Sequence, residues 1–270
     1  MAVVILAGSA FGEGLTIGTL TKLNMTEEEF AAFVAKQKSD FFGWQVMNTH
    51  HTPEDTFKYF DSMNSLLMAL KSGKIDEAAF PEPSAEYIVK TNSEFQVCCA
   101  LRTRPVHIAM GFRDDPAGQR LCEMVNQALK AMNDDRRLGI LIEQYINQAG
   151  KAQPGAEVFT KYEGADTVTV AVTGDLPPLD MIAADGKPIG FNTAVLAELG
   201  RRMRVNINLL NVETSARTSA LMSGRANAVF WYEKTSDVYG KKSDVPYGVL
   251  LSEPYYSWDT FLHLKYVVKE

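Results

Sequence analysis

Ala220-Leu-Met-Ser-Gly-Arg-Ala-Asn-Ala-Val-Phe230 reads as the end of a helix, a glycine stop at Gly224 and a buried apolar strand. The same plan stands 151 residues earlier, where Ala69-Leu70 and Ser72-Gly73 lead into Lys74 and Asp76 as Ala220-Leu221 and Ser223-Gly224 lead into Arg225 and Asn227. Two unrelated helix ends are the competing reading, since glycine so often follows a helix. Outward from the second copy, Thr167 to Val172 predicts a strand, Thr173 to Pro178 a rigid turn and Asp185-Gly186 a hairpin. Asn192 is expected to cap a helix striped by Val195, Leu196, Leu199 and Met203, followed by a strand over Val205 to Val212. Outward from the first, Leu15 to Leu20 predicts a strand, and Thr26 with Glu29 a capping box for a helix to about Lys38. Asp61 or Ser62 caps a helix with Met63, Leu66, Leu67 and Leu70 on one face, and Ile75 to Phe80 is a buried strand closed by Pro81 and Pro83. Asp115-Pro116 opens one helix, a second carries Leu138, Leu141, Ile142 and Tyr145, and a Gly- and Pro-containing linker follows. Strands alternating with helices predict an α/β fold whose sheets are covered on both faces.

The chain has 270 residues, 46% of them apolar, enough for two modest cores and hence two lobes. A net charge of −6 gives no attraction to phosphate backbones or anionic lipid, which argues against nucleic acid as a partner. Three cysteines, with Cys98 and Cys99 adjacent, make no disulfide framework. No zinc spacing, phosphate loop or nucleophile elbow is present, so no metal, cofactor or catalytic residue is expected. His50 and His51 read as a solvated pair, and His107 and His263 as packed or surface residues. Residues 1–12 form an apolar run ending in small residues without a basic leader, either a signal remnant or a buried first strand.

Four segments carry a more specific likeness: Gly186 to Leu199, Val205 to Leu209, Ala220 to Phe230 and Leu251-Ser-Glu-Pro-Tyr-Tyr256. In that order they resemble the opening part of the large lobe in type II periplasmic solute-binding proteins, the polar amino-acid receptors of ABC importers in particular. Thr16-Ile-Gly-Thr-Leu-Thr21 and Thr26 to Phe30 resemble the start of that family's small lobe, Asp61 to Asn92 with Tyr87 its remainder, and Arg113 to Ile146 the helices that close the large lobe. The resemblance covers nearly the whole chain with its blocks in rotated order, which implies a circular permutation. It implies a small lobe over 13–100 and a large lobe over 101–270, made of closing helices 113–147, a linker 148–164 and opening strands and helices 165–270. One unbroken crossing between lobes is expected near Gln96 to Pro105. Two truncated copies in tandem, exchanging lobes across a dimer, are the rival to a monomer.

The resemblance further implies a bacterial protein exported to the periplasm or cell surface, which closes its lobes over a small polar molecule, an amino acid among the candidates, and presents it to a membrane permease. In the large lobe the expected ligand contacts are Asp175, Leu176, Arg217, Trp231 and Tyr232; in the small lobe they are Thr19, Thr21, Asn24 and Glu82. Two departures bear on the ligand. The family's carboxylate-binding arginine is missing from Tyr232-Glu-Lys-Thr-Ser236, where Lys234 offers a point charge without a planar fork, and Pro81 stands where an aspartate pairs with the ligand's amino group. A sensory input module remains a second reading. A dehydratase-like enzyme is a third, with only Glu82, Asp175 or Glu233 to serve as acid or base.

Overall fold

The structure, a computed structural model, describes residues 14–20, 55–60, 62–150, 158–234 and 245–267. The apolar run at 1–12, the Thr26 helix, Thr21, Asn24, the histidine pair and the centre of the linker lie outside them.

Strand β1 (Thr16–Leu20) pairs in parallel with β2 (Thr56–Phe60) on one side and with a later strand, β3 (Glu77–Pro81), on the other. Between β2 and β3 lies helix α1 (Met63–Lys71), capped by Ser62, whose hydroxyl accepts the Ser65 amide at 3.2 Å. Leu66, Ala69 and Leu70 bury the predicted stripe against the sheet. Pro81 ends β3, but Pro83 does not interrupt the chain: it stands in the first turn of α2 (Glu82–Thr91), where proline's missing amide costs nothing. Then comes β4 (Phe95–Arg113), nineteen residues long. It feeds α3 (Pro116–Asp134), whose first turn is held by the Asp115 carboxylate accepting the Ala117 and Gly118 amides, and then α4 (Arg137–Ile142).

The second half runs β5 (Thr167–Val172), the short antiparallel trio β6 (Asp175–Leu176), β7 (Asp180–Ile182) and β8 (Pro188–Ile189), α5 (Phe191–Met203), β9 (Asn206–Asn211), α6 (Arg217–Met222), β10 (Ala228–Lys234), β11 (Val249–Leu251) and β12 (Tyr256–Tyr266). Asn192 is not the cap of α5. Gly190, at φ 107°, takes that position, and Asn192 lies buried in the first turn.

The 151-residue repeat extends beyond the helix ends. Gly73 and Gly224 both turn the chain at positive φ, 69° and 78°, where a side chain would be strained. After them, the Asp76 amide donates to the Thr16 carbonyl at 2.8 Å while its carboxylate accepts the Thr16 amide at 2.8 Å. Asn227 makes the same two bonds to Thr169, at 2.7 and 2.8 Å. A chance likeness of two helix ends does not reproduce this long-range clasp, so the repeat is one supersecondary unit built twice.

Among the described residues a nine-stranded sheet runs in the order β2-β1-β3-β12-β4-β10-β5-β9, with β11 also on β4. Its two ends are parallel and covered by helices; its middle is the antiparallel pair β12 and β4. The expected single crossing near Gln96 to Pro105 is part of β4, but β12 is a second one, since past Trp258 it continues to pair Phe261 through Leu264 with β3. Two main cores result, one around Leu66, Phe80, Ile88 and Leu264, the other around Phe112, Leu129, Val170, Leu199 and Phe230, with a smaller cluster of Ala171, Ala220, Leu221, Val229 and Tyr232 under α6. Leu20, at the end of β1, packs against both. Across the first core Gly18 faces Ala78, which faces Leu264. Because β12 runs opposite to β1 and β3, Tyr266 ends near where Thr16 begins, two strand spacings or about 10 Å away. No described helix is long and apolar enough to cross a membrane.

Candidate functional site

The carboxyl ends of β5 and β10 and the start of α6 converge. In β10 the register against β4 slips between Val229 and Tyr232, a bulge that re-aims Phe230 and Trp231. Tyr232 is buried, lies against Gly111 of β4, and its hydroxyl is 2.9 Å from that of Thr218. The Arg217 guanidinium stacks 3.9 Å above the Trp231 ring and 5.0 Å from the Tyr232 ring. Arg217 is 0% exposed, yet Nε, Nη1 and Nη2 have no hydrogen-bond acceptor among the described residues. Burial pulls it down to about 10, against the attraction of Tyr232, Asp175, Glu233 and Asp180. Desolvation raises the Tyr232 phenol above its ordinary range, with Thr218 and Arg217 opposing.

Asp175 makes no hydrogen bond to this cation; its two oxygens accept the Thr173 and Thr214 hydroxyls, and its charge acts on Arg217 through space. Asp180 is fully buried; one oxygen accepts the Thr173 amide at 3.0 Å and the other has no partner. Burial pushes its carboxyl up to about 6, while the amides of Thr173 and Gly174 act the other way. Beside it the Asn192 amide donates to the Leu179 carbonyl, and the Asn192 side chain has neither donor nor acceptor satisfied. Trp231 Nε1 is also unpaired. Buried polar groups are nearly always hydrogen-bonded, so the unpartnered atoms of Asp180, Asn192, Arg217 and Trp231 set this region apart.

The site continues across the junction through Tyr255 and Tyr256. Tyr255 donates to the Phe230 carbonyl at 3.1 Å, and both Asp180 and Arg217 act on its phenol, which burial raises far above its usual range. Tyr256 meets Phe191 edge-on at 5.5 Å, and burial, then Glu82 and Glu86, push its phenol up to about 12. Glu82, first residue of α2, is held above the usual carboxylate range by burial, Glu86 and Asp259, with Arg102 opposing.

Of the expected site residues, Arg217, Trp231, Tyr232 and Asp175 thus come together, and Glu82 reaches the same junction from the other half. Leu176 is buried within the second core, and Thr19 sits half-buried beside Leu20, opposite Tyr59 of β2. Lys234 pairs in register with His107. Asp180 and Asn192 were not foreseen. The only signal for Asp180 is an acid two residues past Pro178, and Asn192 at a helix start imitates a cap.

No curated protein matches the chain. Similar solved structures include the ligand-binding component of an ABC-type import system from Staphylococcus aureus with zinc bound, at 12% identity over 94% of this chain and 66% of that one, TM-score 0.46. A probable amino-acid ABC transporter extracellular-binding protein from Bacillus subtilis aligns at 13% identity over 93% of this chain and 83% of its own, TM-score 0.45. An ancestral arginine-binding protein bound to arginine aligns at 15% identity over 93% and 84%, TM-score 0.42. Residues 168–236, from β5 through the bulged strand that carries Trp231 and Tyr232, match the family of bacterial extracellular solute-binding proteins, family 3.

Proposed function

We propose that the chain is a solute-binding receptor that closes over a small polar molecule bearing a carboxylate or similar anionic group, an α-amino acid being the leading candidate. The observation that carries this reading is Arg217. A buried guanidinium without a hydrogen-bond acceptor is costly, and Asp175, Asp180 and Glu233 act on it through space without bonding to it. An incoming anionic oxygen pair would satisfy the guanidinium fork. Arg217 would then supply the charge that the family's pattern places a few residues after Trp231, where β10 instead continues to Lys234. Glu82 and Glu86 across the junction offer the opposite sign to a ligand's ammonium, in place of the aspartate replaced by Pro81. Thr19, Thr21, Asn24 and Leu176 remain proposed contacts on the same footing.

Delivery to an ABC permease, export from a bacterial cell and binding without turnover are parts of the same proposal. So is a chain order rotated relative to the family, which the neighbouring positions of Thr16 and Tyr266 and the two crossing strands support. The test is a thermal-shift series over amino acids together with their decarboxylated amines. An acid that raises the midpoint while its amine does not supports the reading, as does loss of that response in Arg217→Met with the far-ultraviolet dichroism unchanged. Equal responses to acid and amine, or undiminished binding by Arg217→Met, would overturn it.

A further inference from the structure

Cys98, Cys99, Glu77 and His263 take no part in the site above, and the fold brings them together. Along β3 and β12, Ala78, Phe80, Leu262 and Leu264 belong to the first core, so the alternating residues Glu77 and His263 lie on the other face of the sheet. His263 Nδ1 is 2.9 Å from Glu77 Oε2, and the two residues are 3% and 5% exposed. Cys99 of β4 stands opposite His263, and the donor atoms of Glu77, Cys99 and His263 all lie within 4.8 Å of one another. His263 pairs with Cys99 but Leu264 pairs with Val97, so Cys98 is an extra residue in a bulge. In an unbroken strand Cys98 and Cys99 would point to opposite faces. Here the Cys98 thiol donates to the His263 backbone carbonyl at 3.3 Å, beside the other three residues.

We infer that Glu77, Cys99 and His263, joined by Cys98 when its thiol turns from the His263 carbonyl, form a binding site for one borderline-soft divalent cation of the zinc class. Two sulfurs, an imidazole nitrogen and a carboxylate oxygen from three adjacent strands make a four-ligand set suited to a tetrahedral ion. They do not suit calcium or magnesium, which require oxygens. Binding releases to solvent one proton from each thiol and the extra proton of an imidazolium, and exchanges the ring's contact with Glu77 for a metal bond, with no redox step. The half-buried cysteines give the ion its way in.

The test uses the full chain, fully reduced, titrated with Co2+ and then Zn2+. One Co2+ per chain with thiolate charge-transfer absorption and the intense visible bands of a tetrahedral ion is expected, both erased by Zn2+, which also raises the unfolding midpoint. The double variant Cys98→Ser, Cys99→Ser should lose the charge-transfer absorption and bind Zn2+ at least about 100-fold more weakly, while Cys122→Ser, altering the remaining thiol, should change neither. No charge-transfer band in the parent protein, or a band that survives the double substitution, would overturn the site. If the double variant does not fold, Glu77→Gln decides: weakening of Zn2+ by about tenfold supports the site, and unchanged affinity overturns it.

Discussion

Gly111 shows how one residue sets the geometry of the candidate site. A methyl group there would run into the Tyr232 ring, which is pinned by Thr218 on one side and shares Arg217 with Trp231 on the other. Gly111→Ala should destabilise the protein by about 1–3 kcal/mol in urea unfolding and weaken the response to any ligand found. Gly139→Ala is its counterpart: the added methyl meets nothing within 4 Å in α4, so helix propensity alone should stabilise by about 0.5–1 kcal/mol. Asp180 predicts a pH dependence. Its carboxyl is raised from 3.8 to about 6, so between those values the folded form keeps a proton that the unfolded form has released. Stability should therefore fall as pH rises through this window, by at most about 3 kcal/mol, and level off above it. Asp180→Asn should flatten that slope in unfolding midpoints measured from pH 4 to 7, and a slope unchanged by the substitution would assign it to another group.

At the scale of elements, Asp76 and Asn227 perform the same task in the two copies of the helix-to-strand connection. Truncating either to Ala leaves the Thr16 or the Thr169 amide without its side-chain partner and should cost about 1 kcal/mol. The two exposed sites lie beside different halves of the sheet and share no partner, so the costs should add in the double variant to within about half a kcal/mol. Connections of this kind were legible because their signals are local. Ser62 and Asp115 announce helix starts, Gly73 and Gly224 their stops, and Asp185-Gly186 a hairpin. Elements fixed by distant partners were not. The continuation of β12 past Trp258 depends on β3, almost two hundred positions earlier in the chain, and nothing near Phe261 announces that pairing. The bulge at Cys98 is likewise a mismatch between two strands, invisible in either alone. Asn192 misled because a buried, unsatisfied amide and an N-cap look alike in sequence. The candidate site divides in the same way: Arg217, Trp231 and Tyr232 follow from their places at element ends, whereas the stacking of one on another, and the part played by Asp180, come from packing.

For the whole molecule, a single sheet joins the two cores through β4 and β12, so any closure must be carried by the twist and bend of that pair. If the chain is a rotated form of the solute-binding fold, a gene reordered to run 165–267, a short loop, then 14–150 should give a protein with the same dichroism, one cooperative unfolding transition and the same ligand response. Failure to fold would count against a rotated monomer and favour lobes exchanged between two chains.

The rim shared by Thr16 and Tyr266 has a practical side. It lies at the opposite end of β1 from Leu20, about 13 Å from where the two cores meet. Dyes attached at Thr16 and Tyr266 themselves would lie about 10 Å apart on one edge of the sheet and should not report a closure between the cores. Under the proposed closure, a dye pair divided between Lys90 on α2 and Lys187 on the β7–β8 hairpin would convert occupancy into an energy-transfer signal.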